Sequence, residues 1–252
     1  MDKKIIEFWN KRGLHTKKYN GNEFYTATEI PFYIYRRNRI LKLLDDNLKG
    51  KKILDLGCAN GINTVYLKKK DAEVVGVDIS ENLLELARKN AFRENLDIPF
   101  YKIDGENLPF EDKSFDIVLT MFVLQHDLDV KSLNRLYKEI SRVLDDNGKM
   151  INFERISIPS TKGPTWVIRE PGEYIKLSEK NDFKLVDHSI LSSRFWDDMM
   201  FPYYILKKRL ALSDNNKFEI SYSKLAVILT KHFDKVWKNN KFGTGYYLFC
   251  KK

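Results

Sequence analysis

Hydrophobic and polar positions change period several times along the chain, and each change predicts an element. Ile53, Leu54 and Leu56 form a short apolar run, the length of a strand covered on both faces in a parallel sheet. Gly57 and Gly61 follow, and Ile62 to Lys70 reads as a helix ending in three lysines, which suit the negative end of a helix. The unit then repeats. Residues from Glu73 to Asp78 read as a second buried strand, and Ser80 is placed to cap a helix whose stripe includes Leu83, Leu84 and Ala87. Pro99–Ile103 and Phe115–Met121 predict the third and fourth strands. Leu133, Leu136, Tyr137, Ile140, Val143 and Leu144 recur at helical spacing; Asn147-Gly148 is the expected stop, and Lys149 to Glu154 opens a fifth strand. Strands and helices alternating through short turns predict an α/β fold, a mostly parallel sheet with helices on both faces.

Candidate chemistry collects at the strand ends. Asp55 closes the first strand, at the sheet edge where open α/β folds bind ligands. The turn behind it has glycines spaced G-x-x-x-G, not the G-x-G-x-x-G of dinucleotide sites, and a carboxylate before the first glycine would repel a pyrophosphate. Asp55 suits a ligand with an ammonium or sulfonium group, held directly or through water. A strand-to-helix turn with no ligand remains open at this point. Asp78, 23 residues after Asp55, is spaced to hold ribose hydroxyls. Asp104, followed by Gly105 and Glu106, closes the third strand and could accept from an adenine amino group.

The set Asp55-Leu-Gly57-Cys58-Ala59-Asn60-Gly61, Val77-Asp78-Ile79-Ser80, Asp104-Gly105-Glu106-Asn-Leu-Pro109-Phe110, Ser114-Phe-Asp116, Val123-Leu-Gln-His126 and Val143-Leu-Asp-Asp-Asn-Gly148 resembles the class I S-adenosylmethionine-dependent methyltransferases. These motifs fall in family order between about residues 50 and 155; order and spacing, more than any one of them, carry the resemblance. It implies a Rossmann-like, doubly wound, seven-stranded sheet with the last strand antiparallel, formed by Gly245–Cys250 after a sixth strand near Phe183–Ile190. It implies S-adenosyl-L-methionine as cofactor, S-adenosyl-L-homocysteine as product, and no metal. Asp55, Gly57, Cys58, Ala59, Asn60 and Gly61 would surround the methionine part. Asp78 and Ile79 would lie at the ribose, and Asp104, Gly105 and Glu106 at the adenine. Met121 and Phe122 would line the pocket near the sulfonium. Ala59 stands where the family has its middle glycine, and a methyl group is tolerable there if φ is negative.

Composition narrows the setting. With 43% hydrophobic residues the chain can build a full core as one globular unit. It has no run of membrane-spanning length and no signal-peptide pattern, and a cytoplasmic location is expected. Cys58 and Cys250 are its only cysteines, so a disulfide framework is not expected, and its four histidines lack metal-ligand spacing. The net charge of +9 is uneven: +5 over residues 1–50, −3 over 51–155 and +7 over 156–252. A basic rim around a slightly acidic core would concentrate an anionic substrate, although lysine-rich flanks also serve solubility.

Three segments follow from this: 1–48, an N-terminal helical lid that excludes water; 49–156, the cofactor core; and 157–252, the remaining sheet, with a helical acceptor-binding insertion at about 192–240. Ile40 to Leu48 reads as a helix on the sheet, and 157–175 as a loop. Arg169, Tyr174, Arg194 and Trp196 are candidate acceptor contacts. His126 is the first candidate for a general base and Glu154 the second; an acceptor oxygen that is already ionised would need neither. The expected activity is methyl transfer, most simply to oxygen, on a small polar anionic acceptor such as a phosphorylated or nucleotide-linked sugar or a surface-glycan precursor. Methylation of protein or RNA, and a silent cofactor-binding partner subunit, are alternatives. Nucleic acid is disfavoured because Thr120-Met-Phe-Val-Leu124 replaces the Pro-Pro tetrad of base methylation, and a dehydrogenase is disfavoured by the missing third glycine. A homodimer is left open.

Overall fold

A computed structural model describes residues 2–18, 44, 48–190 and 242–252. Helix α1 (Lys3–Lys18) precedes β1 (Lys52–Leu56), α2 (Ile62–Lys68), β2 (Glu73–Asp78), α3 (Glu81–Arg93), β3 (Phe100–Lys102) and β4 (Phe115–Met121). A single 3-10 turn, Leu124–His126, leads to α4 (Val130–Val143) and β5 (Leu144–Ser157). A two-stranded hairpin, β6 (Thr161–Lys162) and β7 (Val167–Ile168), leads to α5 (Pro171–Lys180), β8 (Phe183–Ile190) and β9 (Phe242–Lys251).

The sheet has seven strands in the order β3-β2-β1-β4-β5-β9-β8. The first five run parallel, with Ile53 opposite Val74 on one side and Ile117 on the other, and β9 runs antiparallel to both β5 and β8. Both faces are buried, which is why the central strands read as unbroken apolar runs. On one face Ile53, Val74, Leu119, Ile151 and Phe153 pack with Val65 and Leu67 of α2 and Leu84, Ala87 and Ala91 of α3. On the other, Leu54, Val77, Val118, Met150 and Phe249 pack against the α4 stripe of Leu133, Leu136, Tyr137, Ile140 and Val143. Ser80 caps α3 through Leu83 N, as expected, and Asp129 caps α4 through Lys131 N and Ser132 N.

Three expectations shift. Helix α4 stops at Val143, before Asn147-Gly148, because Leu144 turns extended and already pairs with Phe115 on β4. The expected loop of 157–175 contains the β6–β7 hairpin and the start of α5, with Pro171 in the first helical turn, where its missing N–H costs nothing. Of the helix read over Ile40 to Leu48, Leu44 and Leu48 are described and both are buried in the core; the rest lies outside the described residues, as does the insertion at 192–240. No helix among the described residues is long and apolar enough to cross a membrane, and Cys58 and Cys250 are free thiols.

Candidate active site at the carboxyl edge of the sheet

β1 and β2 end side by side on the carboxyl edge, Asp55 opposite Gly76 and Leu56 opposite Val77. Backbone N–H groups of Gly57 and Cys58 both donate to Val77 O, at 2.8 and 2.9 Å, so the glycine turn is stitched to β2. Gly57 and Gly61 both have φ +74, in the left-handed region. A Cβ on Gly57 would lie 2.3 Å from Val123 Cγ2, and one on Gly61 would lie 2.8 Å from Ala87 Cβ. These positions need glycine for conformation and for room. Ala59 departs from expectation: its φ is +50, so its methyl group is carried in the left-handed region. The turn is held by Ala59 N donating to Asp78 Oδ2 at 2.9 Å, and Ala59 packs on the Leu83–Leu86 cluster that also takes Trp9.

Two acids of the turn are buried. Asp55 accepts from Thr64 Oγ1 at 2.6 Å, and Asp78 accepts from Ala59 N and Ser80 N, both at 2.9 Å. Burial raises Asp55 to about 7, partly offset by the Thr64 hydroxyl and reinforced by the charge of Asp78. Burial likewise raises Asp78 to about 6 against the stabilising N–H groups of Ser80 and Ala59. Thr64, one helical turn beyond Gly61, went unremarked in the sequence; a hydroxyl facing the strand-end acid was the available signal. Asn60, also in the turn, is buried with its Nδ2 unpartnered. Cys58 is buried, and its thiol is raised well above its ordinary value by burial first and then by the charges of Asp55 and Asp78, so it stays protonated.

Asp104 is exposed and caps its own turn, accepting from Glu106 N and Asn107 N at 2.7 Å and from Asn107 Nδ2 at 2.6 Å. Burial would raise its carboxyl, but these donors outweigh it and hold it below the usual range. Gly105 turns with φ +83, and Glu106 pairs with Arg135 of α4. Met121 ends β4 with its sulfur 3.5 Å from Asn63 Nδ2. Phe122 has φ +59 and donates from its N to Phe153 O at 2.7 Å, which sends the chain off the sheet.

The loop after β4 is gripped from both sides. Glu154 is fully buried, and its carboxylate accepts from Val123 N, Leu124 N and Gln125 N at 2.9, 2.8 and 3.1 Å. Burial raises it to about 7 against those three donors. Arg169, 3% exposed, donates to Leu124 O at 3.1 Å and to Asp127 O at 2.7 Å. Both residues are therefore committed to loop backbone: Glu154 is withheld from the edge where a base would work, and the Arg169 fork is filled by carbonyls, not by an anion. Tyr174 is buried on α5 between Arg169 and Tyr247, with its hydroxyl 3.4 Å from Arg155 O, and is a core residue. Arg194 and Trp196 lie outside the described residues.

Glu154→Gln tests this reading. One carboxylate oxygen becomes an NH2 that must face a backbone N–H. A loss of about 1.5–3 kcal/mol is expected in denaturant unfolding at pH 8. A loss within about 0.5 kcal/mol would mean the loop does not depend on the charge.

His126 is half-buried on the gripped loop. Its Nδ1 is 2.8 Å from Thr165 O, and because a carbonyl can only accept, the proton sits on Nδ1. Its Nε2 then accepts from Gln125 Nε2 at 3.1 Å. Burial lowers its pKa, so the neutral ring dominates at pH 7. Trp9 meets the imidazole edge-on, with centroids 4.9 Å apart and planes at 87°. Helix α1 is docked on α3: Ser80 Oγ donates to Trp9 O at 3.3 Å, Asn82 Nδ2 donates to Asn10 O at 3.1 Å, and Gly13 sits tight against Asn82. The described part of the N-terminal segment thus lies across the edge holding Asp78, the glycine turn and His126. Among the described residues no cluster of His, Cys, Asp and Glu could hold a metal.

A glycine turn between two buried acids, on a seven-stranded sheet of this order, agrees with the methyltransferase domain family model, which matches residues 53–148. Residues 53–148 form a methyltransferase domain of the class I S-adenosylmethionine-dependent type. It is 36% identical over 103 residues to a ubiquinone biosynthesis O-methyltransferase of Coxiella burnetii, covering 41% of this chain and 43% of that protein. The chain thus spans under half the length of the first such relatives. A ubiquinone biosynthesis O-methyltransferase of Pelagibacter ubique is 27% identical over 203 residues, 71% of this chain and 80% of that protein. A solved Pyrococcus horikoshii structure superposes with TM-score 0.62 at 20% identity over 94% of this chain and 99% of that one. A Haemonchus contortus phosphoethanolamine N-methyltransferase gives TM-score 0.62 at 18% identity over 86% and 52%. These likenesses show the shared fold.

Proposed function

We propose that this chain transfers a methyl group from S-adenosyl-L-methionine to an oxygen of a small polar acceptor that carries an anionic group. The observation that carries the reading is the row Asp55, Gly57–Gly61 and Asp78 on one sheet edge, with both acids buried, Trp9 packed on the same Leu83–Leu86 cluster as Ala59, and His126 against Trp9.

The turn fits the cofactor. Asn60 Nδ2 is a buried donor with nothing to donate to, the glycines let the turn pack directly on Val123 and Ala87, and two buried acids suit a sulfonium and a ribose diol. When bound, the cofactor supplies a methyl group made electrophilic by the sulfonium. Asp78 would accept from ribose hydroxyls, and Asn60 would donate to the cofactor's carboxylate. Trp9 and the rest of α1 would keep water from the sulfonium. His126 is the base candidate that the geometry favours. Its proton is fixed on Nδ1 by Thr165 O, and its Nε2 lone pair is held only by a neutral amide that an acceptor hydroxyl could replace. The O-methyltransferase name of the relatives supports oxygen as the acceptor atom. That same name favours one second reading, an acceptor from ubiquinone biosynthesis.

Cofactor turnover over pools of phosphorylated sugars, carboxylates and phenols, with the product located by mass, decides between these acceptors. Calorimetry that shows binding of NAD and none of S-adenosylmethionine would end the main reading. With a hydroxyl acceptor, His126→Ala is expected to lower kcat by about 10²–10⁴-fold at unchanged cofactor affinity. A kcat within threefold would instead mean that the attacking oxygen is already ionised.

A further inference from the structure

One hydrogen bond decides which nitrogen of His126 is free, and the β6–β7 hairpin supplies it. Gln125 Nε2 lies 3.1 Å from the ring Nε2, but a neutral amide carries both a donor and an acceptor and would serve either tautomer. Thr165 O, 2.8 Å from Nδ1, can only accept, so the choice of tautomer falls to it. The turn around Thr165 sets the direction of that carbonyl. Gly163 N donates to Trp166 O at 2.9 Å, and Pro164 fixes one φ between them. The Trp166 indole lies so close on Gly163 that an added Cβ would fall 2.4, 2.6 and 2.7 Å from Cε2, Nε1 and Cζ2. Three residues past Trp166, Arg169 donates to Leu124 O and Asp127 O, on either side of His126 in the loop. The Arg169 carbonyl accepts from Ser157 N at 3.3 Å, which ties the end of the hairpin to β5. One short segment, Thr165–Arg169, therefore holds the ring by a carbonyl and its backbone by a guanidinium.

We infer that the β6–β7 hairpin selects the tautomer of His126, with Gly163 and Trp166 aiming the Thr165 carbonyl and Arg169 holding the loop that carries the ring. All three are positioning residues that act through His126. The inference rests on His126 as the base of the proposed methyl transfer and adds what makes it one. With the proton on Nδ1, the Nε2 lone pair takes the proton of an acceptor hydroxyl, the ring becomes imidazolium, and the oxygen keeps the electron pair that attacks the methyl group. With the proton on Nε2, that nitrogen could only donate. A neutral imidazole left to water favours the proton on Nε2, so displacing the carbonyl would leave the lone pair on the wrong nitrogen.

The test is nitrogen NMR on full-length protein isotope-labelled in its imidazole rings, at pH 8, with and without saturating S-adenosylhomocysteine. The His126 signals are those lost in His126→Gln. The wild type should show a protonated Nδ1 and an unprotonated Nε2. Gly163→Ala, which crowds the indole, and Trp166→Ala, which removes it, should each move the proton largely to Nε2. Calorimetry should find their affinity for S-adenosylhomocysteine unchanged. Trp166→Phe should keep most of the wild-type pattern. Gly172→Ala, with nothing within 4 Å of the added Cβ, should keep all of it, and so should Gln125→Leu, because the amide does not choose. The inference is overturned if the wild type carries its proton on Nε2, if both hairpin variants keep it on Nδ1, or if Gln125→Leu moves it. It is overturned equally if the tautomer changes only together with a loss of S-adenosylhomocysteine affinity, which would mark a general loss of structure. Failure of S-adenosylhomocysteine to bind the wild type would be a different result: it removes the methyltransferase reading, while the nitrogen signals still report the tautomer.

Discussion

Gly57→Ala is expected to abolish measurable S-adenosylmethionine binding, while Gly50→Ala, at nearly the same backbone angle, leaves it intact. Gly50 has φ +70 and nothing within 4 Å of an added Cβ, so its substitution costs only the left-handed strain, about 1 kcal/mol. Gly57 has φ +74 and an added Cβ would meet three atoms of Val123 at 2.3, 3.2 and 3.4 Å. Two of these contacts are closer than van der Waals distance, both to methyl groups of a β-branched side chain, and the Val123 backbone N–H is pinned by Glu154. The turn must move instead, at a further cost of about 1–3 kcal/mol, and it moves where the ligand binds. Thermal unfolding and a cofactor titration on both variants separate strain from crowding. Equal affinity in the two would show that the turn is not the cofactor cradle.

The second large effect is in pH. Asp55 at about 7 and Asp78 at about 6 are raised above the unfolded value of 3.8, so the unliganded fold binds more protons than the unfolded chain in the window between. Stability contributed by these groups is fully present below pH 4 and is lost as pH rises through 6 to 7. The buried Glu154, raised to about 7, pushes the same way. A cationic sulfonium and a ribose diol favour the ionised acids, so cofactor affinity should rise as the unliganded stability contribution falls. On the order of a hundredfold tighter binding is expected at pH 8 than at pH 5, accompanied by proton release. Calorimetry in buffers of different ionisation enthalpy measures both quantities. Asp78→Asn should flatten part of the profile, and an affinity independent of pH would mean that neither acid meets the ligand in its ionised form.

The strands of the parallel half and the positions of Asp55, Asp78 and the two glycines were legible because each depends on local sequence. A strand buried on both faces, a turn that needs positive φ and an N-cap serine declare themselves within a few residues. Ala59 misled because local sequence does not show that Asp78, 19 residues away, draws its N–H and holds φ at +50. Arg169 and Glu154 misled for the opposite reason. Their side chains look chemical, but their partners are backbone groups of a loop 29 to 45 residues distant, and main-chain acceptors and donors leave no mark on sequence. The docking of α1 beside His126 was equally illegible, because its contacts join residues more than seventy positions apart in the chain.

That docking also bears on the order of events in a catalytic cycle. Ser80 touches α1 through its hydroxyl and Asp78 through its N–H, so the helix and the proposed ribose site share a single residue. A nucleoside leaving that site would disturb one of the residues that fasten α1. Such a layout favours donor first and product nucleoside last, and it makes departure of the spent donor the natural slow step, with the pace of the cycle set at the chain's first helix.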